Sequence, residues 1–408
     1  MTDAKTSLIH RPAIRWAVPG AVVAIALGAA AISAVTADAS QTLPPRSAAE
    51  LLVDVQNASL KGLSGMVLQD AALGLPELPV QVGGQGSSDF TALVSGTHTL
   101  RVWYAGEDKQ RVALHGTLGE SDVVRNGSDV WTWASDSNTA THYQLPAGAG
   151  DKALAEHPGS SVAAMTPQQA AEAALAAIDP TTTVITDGTA EVAGRSAYQL
   201  VLGPKDSASL VGQVRIAIDA EQHIPLRVQV YAKNAPTPAF QVGFSQVSFD
   251  VPDAANFQFS PPPGATVTES TLGTSADATA PDATAPGATD QSATPNMTPP
   301  AGAAEPTVVG TGWTSVLVAK VPATEATPET TAPESSAPLT AGSDPGEPVS
   351  RGSAANLSAI LGSLPPVSGE WGSGRLLQSA LFSVLITDDG RIIAGAVAPE
   401  KLYEAAAQ

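Results

Sequence analysis

At 408 residues the chain is long enough for two or three domains, yet only 4% of it is aromatic and 14% charged, with 36 Gly and 33 Pro. Part of it therefore cannot bury a core. The net charge of −19, with no basic run, excludes a nucleic-acid-binding protein, which needs a cationic face to release counterions from phosphate. Cysteine is absent, which removes disulfides, thiol catalysis, cysteine-ligated zinc and a lipidated N-terminal cysteine, so the folded part must be held by burial.

The first predicted element is an export signal. Arg11 and Arg15 precede an uncharged, mostly apolar run from Trp16 to Val35, and Ala37-Asp38-Ala39 follows. Positive end, apolar middle and small-residue site come in the order of a secretory signal over residues 1–39. The run over 16–35 is also long enough to span a bilayer, so it reads either as a signal cleaved after Ala39 or as a retained anchor. In both cases the rest of the chain is extracytoplasmic, secreted or membrane-anchored, and the arginines stay on the cytoplasmic side.

Pro44-Pro45 leads into Leu51, Leu52 and Val55 at helical spacing, which predicts an amphipathic helix over about 47–58. Strands follow: "GMVLQDA", then, after a Gly/Ser/Pro-rich loop with a short helical piece, "THTLRVWYAG", "KQRVALHG", "SDVVRNGSDVWTWAS" and "NTATHYQLP". Asn126-Gly127 is the strongest hairpin signal in the chain. "TPQQAAEAALAAIDP" predicts a second helix, capped by Thr166, with Pro167 in its first turn and Pro180 as its stop. Four to five further strands are predicted in "TTVITDGTAEVAGRSAYQLVLGP", "VGQVRIAIDAEQHIPLRVQVYAK", "PAFQVGFSQVSFD" and "FQFSPPPG". Helix, meander, helix, meander over about 40–267 reads as an α+β domain with one large antiparallel sheet.

Beyond it the composition changes. Residues 268–305 are Pro/Ala/Thr-rich, with "DATAP" twice in tandem, and 322–350 are acidic and Pro/Thr-rich; both read as disordered linkers. Between Thr268 and Ser350 ten acidic residues meet only Lys320, so a net −9 of the −19 sits there. Residues 306–321 read as a lone strand-like segment. The tail, 351–408, reads as a helix and a hairpin turning at Asp389-Gly390, too short to hold a core alone and expected to dock on the main sheet.

No H-E-x-x-H, G-x-S-x-G, S-x-x-K or phosphate-binding loop is present, and the six histidines never pair at metal-ligand spacing. A non-enzymatic protein without cofactor or metal is expected. What remains is apolar surface on strands. In "RIAIDAEQHIPLRVQVYA" Ile216 and Ile218 share a face, as do Leu226, Val228 and Val230, and the two sets join one side of a sheet when the strands pair across 219–223. Trp103, and Trp131 with Trp133, add large rings that either pack beneath a helix or line a ligand cavity. These eight residues are the candidate cavity wall.

"NGSDVWTW" at 126–133 resembles the strand-turn-strand signature of the LolA/LolB lipoprotein-carrier superfamily. "AIDAEQHIPLRVQVYA", "AFQVGFSQVSF" and "FQFSPPPGATV" resemble that family's later half, and the first helix with "LRVWYAGEDKQRVAL" resembles its opening. Residues 45–267 are similar as a whole to LolA-like exported proteins of high-GC Gram-positive bacteria, which are similar in turn to RseB, a sensor of misplaced lipoproteins. The resemblance implies an unclosed antiparallel half-barrel, its concave face covered by helices and lined with apolar residues that take the acyl chains of a lipid or lipoprotein. It implies a carrier or, alternatively, a regulator acting on a membrane protein partner such as an anti-sigma factor. The anchor-like segment, the linkers and the tail depart from the soluble carriers and suit a membrane-bound protein better than a shuttle.

Overall fold

The computed structural model describes residues 43–76, 87–117, 119–145, 166–176, 178–271, 307–320 and 361–408. The export signal over 1–39 lies outside them, as do most of the two linkers. Among the described residues no helix is long and apolar enough to cross a membrane.

The first unit runs α1 (Ala48–Asn57), β1 (Leu63–Ala71), β2 (Gly96–Tyr104), β3 (Lys109–His115), β4 (Glu120–Asn126), β5 (Asp129–Ala134), β6 (Thr139–Gln144), α2 (Pro167–Ala176), β7 (Thr182–Val192), β8 (Arg195–Pro204), β9 (Val211–Asp219), β10 (Pro225–Ala232), β11 (Phe240–Ser248) and β12 (Thr266–Thr271). Its twelve strands form one sheet in the order β12-β6-β5-β4-β3-β2-β1-β11-β10-β9-β8-β7. Two antiparallel meanders, β1 to β6 and β7 to β11, thus meet where β1 pairs with β11. The sheet is unclosed, with β7 and β12 at its ends, consistent with an open half-barrel. Among the described strands β12 alone pairs in parallel, on β6, and it runs to Thr271, past the domain boundary expected at 267.

Local chemistry accounts for the helix starts. The Ser47 hydroxyl accepts from the Glu50 N–H at 3.3 Å while the Glu50 carboxylate accepts from the Ser47 N–H at 2.8 Å, a reciprocal cap that begins α1. Thr166 and Gln169 make the same exchange at 3.2 and 2.9 Å ahead of α2. At the β4–β5 turn Asn126 pairs with Asp129, so the central residues are Gly127 and Ser128 rather than Asn126 and Gly127. Gly127, at φ +67°, supplies the positive φ that such a turn needs at its first central position. The β7–β8 turn is tighter on chemistry: both central residues, Ala193 and Gly194, have positive φ, and Ala193 carries a Cβ there. "FQFSPPPG" is not a strand. Ala254–Phe257 form a 3₁₀ turn against β3 and β4, because Phe257 is more fully buried there than an edge strand would allow.

The main core lies on one face of the sheet. Register places Val67, Leu100, Leu114, Val242, Val228, Ile216 and Leu200 in successive strands on that face. Leu51 of α1 and Ala170, Ala171 and Ala174 of α2 are buried in the same cluster, and α2 rests on β10 and β11.

The remaining described chain forms a second sheet, with β13 (Thr307–Val309), β14 (Val316–Lys320), β15 (Pro366–Gly369), β16 (Gly372–Gln378), β17 (Ser383–Thr387) and β18 (Arg391–Gly395) in the order β13-β14-β18-β17-β16-β15, followed by α3 (Pro399–Ala406). The segment around 306–321 is therefore not isolated: β14 pairs with β18 from Val316–Gly395 to Lys320–Arg391. Nor is the tail without a core. Leu376, Leu385, Ile393, Val397 and Leu402 of the tail make a buried cluster that Val316 of β14 joins.

The second sheet docks on the first. Trp313 is buried in the main core and donates from Nε1 to Thr182 Oγ1 at 2.8 Å. Leu210 N–H donates to Ala396 O at 2.8 Å, and Ala380 N–H to Leu73 O at 2.7 Å. Gly312, at φ +61°, is required here: a Cβ would stand 2.2 Å from Thr181 Oγ1 and 2.7 Å from Asp179 Oδ2.

Candidate functional site

The hairpin of β9 and β10 brings the five expected aliphatics together. Val228 pairs with Ile216 and Val230 with Val214, while Ile218 meets Pro225 and Leu226 sits in the bulge that follows. Ile216, Ile218 and Leu226 are 0% exposed, Val228 and Val230 1%. In this structure they are fully buried in the main core cluster.

The tryptophans are elsewhere. Trp103 pairs with Arg111, Arg111 with Val124, Val124 with Trp131 and Trp131 with His142, a row on the opposite face from Leu100 and Val102. The eight candidate residues therefore do not converge on one wall. Side chains alternate along a strand, and Trp103 has the parity of Arg101, not of the core-facing Val102. Trp131 and Trp133 pack under Phe259, with ring centroids 5.4 and 6.1 Å away, and Trp103 is flanked by the guanidinium groups of Arg101 at 4.8 Å and Arg111 at 5.1 Å. Arg111 is in turn held by the buried Asp122, Nε to Oδ1 at 2.8 Å.

The aliphatic face continues past the fully buried core. Val102 pairs with Val112, Val112 with Val123, Val123 with Thr132 and Thr132 with Thr141, and Val112, Thr132 and Thr141 in this row are only half-buried. Tyr104 and Phe90 lie half-buried against the core next to it. Sequence reading passed over this strip because each strand contributes one modest residue, and only the ladder lines them up.

Polar anchors frame the hairpin. Asp219, fully buried, accepts from Arg195 Nε and, at 3.0 Å, from Arg195 Nη2, and from the N–H groups of Glu221 at 3.0 Å and Gln222 at 2.7 Å. Burial alone would raise its carboxyl; Arg195 and the two backbone donors reverse this and hold it below the usual carboxylate range. This cluster ties the ends of β8, β9 and the following turn, a structural task. At the far edge His142 lies between two carboxylates, Nδ1 2.7 Å from Glu269 Oε2 and Nε2 3.0 Å from Asp129 Oδ1, and stacks on Trp131 with centroids 4.3 Å apart and planes 13° apart. Among the described residues no group of three or more His, Asp or Glu could hold a metal ion.

The family model for the MucB/RseB N-terminal domain matches residues 94–262, from the 3₁₀ turn before β2 to the approach to β12. Among solved structures, the complex of MucA and MucB from Pseudomonas aeruginosa aligns over 88% of this chain and 96% of its own, at 12% identity and a TM-score of 0.40. An uncharacterized conserved protein from Thermus thermophilus aligns over 55% of this chain and 99% of its own, at 12% identity and a TM-score of 0.31. A LolA superfamily protein from Nitrosomonas europaea aligns over 53% and 99%, at 10% identity and a TM-score of 0.20. No curated protein matches the chain.

Proposed function

We propose, on the premise that residues 94–262 belong to the LolA/RseB-like superfamily, that this chain is an extracytoplasmic protein whose first sheet takes an acyl chain of a lipid or lipoprotein on its helix-bearing face. The observation that carries the reading is the composition of that face. Ile216, Val228 and Val230 form a continuous apolar floor, and the fully buried residues that α2 sets into the same cluster are small, Ala170, Ala171 and Ala174 with Pro167, beside a half-buried Leu175. An acyl chain that displaced α2 would bury a run of methylenes worth about 0.8 kcal/mol each in place of these mainly small side chains. The strip at Val112, Val123 and Thr132 is the open end by which a chain would enter. Residues 16–35, as an anchor, would hold the domain at the outer face of the membrane.

The second reading is a regulator of the RseB kind, reading the lipid and acting on a membrane protein partner; the match of residues 94–262 to the MucB/RseB N-terminal domain supports it. Neither role requires a catalytic group or cofactor. Native mass spectrometry of the full exported chain tests both. Both predict reproducible lipid mass, reduced when Val228→Asp puts unpaired charge on the floor; lipid-free protein from every preparation overturns both. A stoichiometric membrane protein retained with the chain supports the regulator, and lipid mass without any partner supports the carrier.

A further inference from the structure

β12 is an edge strand that buries little. Val267 is 44% exposed, and residues 267–269 are all exposed. Besides its backbone ladder to β6, it is tied by Asn138 Nδ2, which donates to Gly264 O at 2.8 Å, and by the contact of Glu269 with His142. Both ring nitrogens of His142 face carboxylates, at 2.7 and 3.0 Å. A neutral imidazole has one N–H and can serve only one of them; the imidazolium donates to both. Ring stacking on Trp131 fixes the plane in which the two donors point.

We infer that His142 is a proton-operated latch that fastens β12 to the first sheet. The charged groups facing the ring are Asp129 of β5 and Glu269 of β12, both of which favour its cationic form. Burial would lower the ring's pKa, but the two carboxylates overcome this and raise it above its ordinary 6.5. A group whose pKa is raised in the latched state contributes fully below its free value and loses that contribution as pH rises through the latched-state value. The latch is therefore closed in mild acid and loosened toward alkaline pH.

Hydrogen exchange on the full chain at pH 6.0 and pH 8.5, corrected for intrinsic rates, tests this. Protection of the amides of 266–271 should fall about tenfold or more at the higher pH, while β8 to β10 stay unchanged. His142→Gln should abolish the pH response; Glu269→Gln, at an exposed position that leaves the ring uncrowded, should do the same and serves where the histidine variant perturbs the sheet. Equal protection of 266–271 at the two pH values in the wild type overturns the inference, as does a fall that persists undiminished in the variants.

Discussion

Ile216 is fully buried between Leu200 on one strand and Val228 on the next. Truncation to alanine removes transfer energy and leaves a cavity, so Ile216→Ala should destabilise the first sheet by about 2–5 kcal/mol, read as a lower urea midpoint with unchanged slope. Ala193 presents the opposite case. Its Cβ is held at φ +54°, a conformation costing about 1–2 kcal/mol for a non-glycine residue, part of which glycine returns as chain entropy. Ala193→Gly should therefore stabilise by about 0.5–1 kcal/mol and raise the melting temperature. Asp219→Asn should cost about 2–3 kcal/mol at pH 7, below the value for a fully buried pair because Arg195 is 26% exposed. Since the folded-state pKa of Asp219 is depressed, its contribution is present above its unfolded value and lost as pH falls through the folded one. The gap between wild type and variant should thus close in acid, which equilibrium unfolding at pH 7 and pH 3 would measure.

At the scale of elements, α2 meets the first sheet mainly through small side chains. Its buried face is three alanines and Pro167, while the strands under it, β10 and β11, carry phenylalanine, valine and leucine. Ala171→Glu, charging the centre of that contact, should lift the helix more than it disturbs the sheet. The expected outcome is uptake of a fluorescent fatty acid raised severalfold with the sheet's melting transition retained; loss of both would show that α2 is an integral part of the core. Both helices of the first unit were legible in the sequence, the second down to its cap at Thr166, because capping is a chemistry of four consecutive residues. Most strands were legible by alternation. "FQFSPPPG" was misread because two aromatics two apart satisfy the strand period equally well when they are plugging a neighbouring ladder.

At the scale of the whole molecule, the second sheet is seated through the Trp313 ring and through backbone hydrogen bonds at Leu210 and Ala380. Trp313→Ala removes a ring buried in the other unit's core and takes the indole donor from Thr182. Truncations of this size cost about 3–5 kcal/mol, enough to undock the unit while each sheet keeps its own cluster. Small-angle scattering should then show a larger radius of gyration with unchanged secondary structure. Gly312→Ala, which forces a methyl into Thr181 and Asp179, should do the same by steric exclusion; a variant that stays as compact as the wild type would show that the contacts at Leu210 and Ala380 suffice.

The linear chain determined which stretches are most of the strands, where the first two helices begin, that one hairpin has a fully apolar side, and that no thiol is present. These are properties of period, cap and composition, each contained in a few neighbouring residues. Tertiary structure decided which face each residue joins. Trp103 and Val102 are adjacent in sequence and on opposite sides of the sheet, so the tryptophans left the wall that composition had placed them in. It also decided that β14 completes the tail's sheet from across the second linker, and that Glu269 meets His142 across 127 residues. Pairing between distant strands carries no local signature, because the energy that selects it comes from burying whole faces together once the chain has closed the loops between them.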